Sequence, residues 1–148
     1  MKPKQTLVIL ANDGKARFLR NSGIGKGLTE LRTLEAERLV GPEVEFADGP
    51  GRSRAAPGMA RHAMDPRSGE EERRRELFAR QVAETAESLW NRHGFDRLVI
   101  SAEPKLLGLL RALLPAPMRA HAQVEMDKDL LKVPLRALPK HFEEHILF

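Results

Sequence analysis

The chain has 148 residues, long enough to bury roughly 68–70% of its unfolded surface as one ordinary domain spanning 1–148. Hydrophobic residues at 41% and charged residues at 31% exclude a chain that is disordered throughout. Cysteine is absent, which excludes disulfides, thiol nucleophiles and thiolate metal sites and fits a cytoplasmic location. The net charge is only +4, but arginine dominates the basic residues, and its planar fork suits phosphate and carboxylate better than lysine does.

Gln5 to Ala11 opens the chain as a β-rich apolar run ending at the turn signal Asn12-Asp13-Gly14. Its core, Leu7 to Ala11, is shorter than a secretory signal core, and no run approaches the ~20 apolar residues of a membrane span. Lys15 to Arg20 alternates, with Ala16 and Phe18 on one face and Lys15, Arg17 and Leu19 on the other. A glycine-rich turn, NSGIGKG, leads to a third strand at Leu28 to Leu34, which completes an antiparallel meander. Residues 35 to 47 give only a weak signal.

Asp48 to Ser68 then packs three glycines, three prolines, four arginines and His62 into one segment. Composition leaves two readings open: a phosphate-binding surface, or a solvated connection. Glycines let the backbone approach a ligand, and guanidinium forks can join exposed N–H groups on a phosphate. Arg52, Ser53, Arg54, Arg61, His62 and Arg67 are the candidate nucleic-acid-binding residues. The segment has no aromatic residue for stacking bases, so contact would be with the nucleic-acid backbone. His62, beside Arg61, is also a candidate general base.

Ser68 and Glu71 read as a capping box for a long helix, with Glu70, Glu71 and Glu72 in its first turn. Glu70–Arg74, Glu71–Arg75 and Glu76–Arg80 are spaced as i,i+4 pairs, and Phe78, Val82, Ala86, Leu89 and Trp90 form the apolar stripe. The helix should end at His93-Gly94. Phe95 to Ala102 follows as a buried strand, and Pro104 begins a helix that stops at Pro115. Residues 120–129 predict a fifth strand with Ala122, Val124 and Met126 facing inward, and residues 134–148 a short helix that includes Pro139. The expected fold class is α/β (α+β): a five-stranded mixed sheet, order 3-2-1-4-5, with parallel pairs where helices form the crossovers.

Asp13, Asp96, Glu103, Asp127 and Asp129 all fall near strand ends. Asp13, Asp127 and Asp129 form a possible acidic cluster, and converging carboxylates could hold Mg²⁺ for phosphodiester chemistry. Their spacing matches no ligand motif, so no metal is assigned. No cofactor is assigned either, because a P-loop, a dinucleotide fingerprint and a G-x-S-x-G elbow are all missing.

The series LANDGKARFL, DGPGRS, RHAMDP, ERRRELFARQVAETAE, FDRLVISAEPKLLGLLR and EMDKDL resembles the bacterial host-attachment protein family over nearly the whole chain. That family is similar to the middle domain of archaeal and eukaryotic class-1 peptide-chain release factors, which carries a ribonuclease-H-related sheet. The resemblance implies that residues 48–68 stand where those factors carry a Gly-Gly-Gln loop, which enters the ribosomal peptidyl-transferase centre ahead of a long helix. No glutamine occurs between Gln5 and Gln81, and Gly51-Arg52-Ser53 keeps one glycine of that pattern. The resemblance therefore implies rRNA, tRNA or the ribosome as partner through the basic loop, with no membrane contact. The alternatives are hydrolysis of peptidyl-tRNA or a phosphodiester, and a protein-interaction module in attachment or stress physiology.

Overall fold

The computed structural model describes residues 2–36 and 66–148. Five strands form one sheet: β1 (Thr6–Ala11), β2 (Lys15–Asn21), β3 (Thr29–Glu35), β4 (Arg97–Ala102) and β5 (Ala122–Met126). Their order is β3-β2-β1-β4-β5. The first three pair antiparallel, whereas β1–β4 and β4–β5 are parallel. Among the described residues the helices are α1 (Pro66–His93), α2 (Pro104–Leu113), α3 (Ala116–Arg119) and α4 (Leu138–Phe142). The predicted mixed sheet and its strand order are therefore observed.

β1 lies at the centre of the sheet, and all six of its residues are buried. A strand covered on both faces needs apolar side chains at both parities, which TLVILA supplies. Leu7, Ile9 and Ala11 join Ala16, Phe18, Leu98, Ile100 and Ala102 on the face under α1 and α2. Val8 and Leu10 join Leu19, Val99 and Val124 on the other, which the C-terminal segment covers through Leu130, Leu138, Phe142 and Phe148. Edge strand β3 buries only Leu34 and turns charged Glu30, Arg32 and Glu35 outward, a pattern that discourages pairing with a stray strand.

Three local predictions need correction. α1 starts at Pro66, so Ser68 is its third residue rather than its N-cap, and Glu70 to Glu72 fall beyond the first turn. Proline at the first helical position explains the early start, because its fixed φ and missing N–H suit that site. In β5 the register slips between Leu98 and Val99, so that Leu98 faces Ala122 while Val99 faces Val124. That irregularity reverses parity: Ala122 packs on the α1–α2 side, and Val124 and Met126 on the opposite side. The tail is a 3₁₀ turn (Leu135–Ala137) followed by α4, and Pro139 sits in the first turn of α4, where proline costs little.

Gly94 ends α1 as expected, with φ +69° and its N–H donating to the Trp90 carbonyl at 3.0 Å. Phe78, Val82, Ala86 and Leu89 form the buried stripe of α1, and Trp90 packs at its edge.

Candidate functional site

The carboxyl ends of parallel strands β1 and β4 point the same way, and the loops leaving them meet there. In open α/β sheets this is where ligands bind, because diverging connections leave a crevice. The loop after β1 is held by Asn12, whose Oδ1 accepts the N–H groups of Gly14 (2.8 Å) and Lys15 (2.9 Å). An asparagine that closes its own turn in this way frees the next side chain, Asp13, to project.

Asp13 meets Arg75 from the first half of α1. Nε and Nη2 of Arg75 donate to the two Asp13 carboxylate oxygens, each at 3.0 Å. The Arg75 side chain is only 13% exposed and that of Asp13 45% exposed. The fork geometry, with burial on the guanidinium side, makes this a well-formed ion pair. The Asp13 carboxylate holds the Arg75 guanidinium more firmly charged than usual, against the opposing effect of burial.

Glu103 completes the group. It precedes Pro104 at the start of α2, and its backbone N–H donates to the Ala11 carbonyl at 3.3 Å, fixing it beside the end of β1. Its Oε1 is buried, and the Asp13 carboxylate is a charged neighbour of like sign. Burial first, and then the negative charge of Asp13, push the Glu103 carboxyl above the ordinary glutamate range, while Arg75 pulls it back. A carboxylate, a guanidinium and a carboxyl with a raised proton affinity thus share one corner. Alongside it runs a cleft of about 250 Å³ lined by Glu72, Arg75, Glu76, Lys105 and Leu109.

The loop after β5 lies on the other side of the same end. Asn12 Nδ2 donates to Asp129 Oδ2 at 2.9 Å, and Asp129 Oδ1 accepts the Leu131 N–H at 3.1 Å. Ser101 donates its hydroxyl to the Lys128 carbonyl at 2.7 Å. Arg17 binds the Leu131 and Val133 carbonyls through Nη1 and Glu30 through Nε.

Of the predicted acidic residues, Asp13 is brought to Glu103 and Arg75, and Asp129 to Asn12. Asp127 is exposed beyond β5. Asp96 lies at the opposite end of the sheet, accepting the Gln5 N–H at 2.9 Å. Among the described residues no three acidic or histidine side chains are grouped to hold a metal ion. Arg52, Ser53, Arg54, Arg61 and His62 lie outside the described residues; Arg67 falls in the first turn of α1. Sequence reasoning missed Arg75, which its spacing assigned to Glu71; nothing local marks a partner 62 residues away.

The fold is similar to that of an archaeal translation termination factor, aRF1, known from a crystal structure. The TM-score is 0.53 at 12% identity, with 82% of this chain and 29% of the factor covered, so the likeness is one of fold. The chain thus corresponds to less than a third of that factor's length. A search of curated proteins found no match. Residues 7–142 match the family described as "Protein required for attachment to host cells", and the chain belongs to that family.

Proposed function

We propose that this protein binds RNA or the ribosome, in the cytoplasm, through the basic Gly/Arg segment 48–68, as one functional unit spanning the chain. The observation that carries the reading is what the described residues on either side of that segment touch. On its N-terminal side the Ala36 N–H donates to the Gly14 carbonyl at 2.9 Å. On its C-terminal side α1 returns and locks Arg75 onto Asp13, the residue next to Gly14. Ala36 and Arg75, described residues on either side of the segment in the sequence, therefore both meet the Asn12-Asp13-Gly14 turn at the carboxyl end of the sheet.

Two further points support the reading. The fold is shared with a translation termination factor, which raises the expectation of a ribosomal partner. The arginines at 52, 54, 61 and 67 outnumber the acids at 48 and 65, which suits a polyanion. The missing glutamine separates binding from ester hydrolysis: the segment engages phosphate without the side chain that the resemblance implies for release. The test is cosedimentation with 70S ribosomes: Arg52→Ala/Arg54→Ala/Arg61→Ala should leave the protein largely in the supernatant at low salt. Unchanged pelleting of the triple variant would contradict the proposal.

A hydrolase is the second reading, and Glu103 favours it. A carboxyl that holds its proton above the ordinary range beside a cleft can donate it to a leaving group. Purified protein assayed on peptidyl-tRNA and on a phosphodiester, with and without Mg²⁺, separates the readings; turnover lost in Glu103→Gln would support this one.

A further inference from the structure

On the sheet face opposite α1, the β2–β3 turn and the C-terminal segment flank an open groove of about 580 Å³. Its apolar wall is Leu28, Pro134, Leu135 and Pro139, and among the described residues its charged lining is Lys26 and Arg136. Both cations are exposed, and neither pairs with a carboxylate among the described residues. The cleft is separate from the Asp13–Arg75–Glu103 corner and shares no residue with it.

The turn forming its lip is held in shape by internal bonds. Asn21, 2% exposed, donates through Nδ2 to the carbonyls of Gly23 (2.9 Å) and Gly27 (2.7 Å) and accepts the Gly23 N–H at 3.1 Å. Gly27 has φ +72° with open space around a would-be Cβ, so glycine serves the backbone conformation there rather than close packing. The Gly25 N–H donates to the Phe148 carbonyl at 3.1 Å, which ties the turn to the C-terminus. Ile24 and Leu147, each one residue from that bond, are 73% and 56% exposed.

We propose that this groove docks a partner protein through a short acidic segment carrying a large apolar anchor. The anchor would be buried against Leu28 and Leu135, while flanking carboxylates pair with Lys26 and Arg136. A small anionic molecule seated between the walls would leave Ile24 and Leu147 bare, whereas a peptide running past the lip covers them. The charge argument points the same way: both lining charges are positive and free, so the cleft selects a carboxylate-bearing ligand over a basic one. A preformed lip lowers the ordering cost of such docking.

The test is selection of a random 12-residue peptide library on the full-length protein, followed by affinity measurement of the enriched peptides. Enriched peptides should place Asp or Glu around a Leu, Ile or Phe. They should lose affinity about tenfold or more on Lys26→Glu/Arg136→Glu, and retain it on Arg52→Ala/Arg54→Ala/Arg61→Ala. Lys26→Ala/Arg136→Ala gives the same reading should the charge reversal fail to fold. No enrichment, enrichment without acidic residues, or affinity indifferent to the Lys26/Arg136 changes would overturn the proposal. So would dodecanoate binding in the groove without peptide enrichment, or self-association that the double variant abolishes.

Discussion

Arg75 grips Asp13 with both teeth of its guanidinium fork, at 3.0 Å each, across 62 residues of sequence. The pair joins the long helix α1 to the β1–β2 turn. Asp13→Ala strips a mostly buried guanidinium of its bidentate acceptor, whereas the half-exposed carboxylate was partly screened by water. The expected cost is about 1–2 kcal/mol, less than for a fully buried pair. Urea denaturation of Asp13→Ala, Arg75→Met and the double variant checks it: a favourable coupling is expected, and zero coupling would show the pairing to be incidental.

Glu103 should make stability fall as pH rises. Its folded carboxyl binds protons more tightly than an ordinary glutamate, through burial first and Asp13 second. The native state therefore holds more protons than the unfolded state between the ordinary and the raised pKa, and the slope of unfolding free energy with pH is negative there. The stabilising contribution is complete below the ordinary glutamate pKa and is lost as pH rises through the raised value. Glu103→Gln cannot ionise. Its melting temperature should match the parent near pH 4 and exceed it near pH 7; a parallel pair of curves across that range would refute the assignment.

Removing Arg75 should push Glu103 further up, because its positive charge, ahead of a backbone hydrogen bond from Leu106, opposes burial and Asp13 there. Carboxyl ¹³C titration of Arg75→Met by NMR should show a higher Glu103 midpoint than in the parent. A lower midpoint would mean that the guanidinium acts mainly by excluding water.

Gly94 offers a cleaner backbone test. A Cβ added there meets nothing within 4 Å, so Gly94→Ala should be penalised only for φ +69°. The cost is expected at roughly 1–2 kcal/mol, and Gly94→Asn should cost less because asparagine tolerates that conformation. Equal losses would point to a packing clash instead.

Architecture was readable because burial parity is written into each strand. The largely apolar β1, the alternating β2 and the charged β3 fit centre, neighbour and edge respectively. Gly94 was readable because only one residue type takes that conformation without strain. What escaped was non-local. The i,i+4 spacing from Glu71 to Arg75 is a weak surface preference, and it lost to a bidentate partner brought in by the fold. The reversal of parity in β5 escaped as well, because the register shift depends on pairing with β4 rather than on the residues of β5 alone. The expected cluster of Asp13, Asp127 and Asp129 left out Glu103, whose approach to Asp13 depends on β1 pairing with β4, and Asp129 instead pairs with Asn12.

The salt dependence of RNA binding tests the central claim most directly. Every arginine that no longer neutralises a phosphate should reduce the slope of log affinity against log salt by roughly 0.7–0.9. Measured on ribosomal RNA between about 50 and 200 mM KCl, Arg52→Ala/Arg54→Ala/Arg61→Ala should flatten the slope by about two to three. An identical slope and affinity for parent and variant would show that these arginines meet no polyanion, and the proposed function would fall with them.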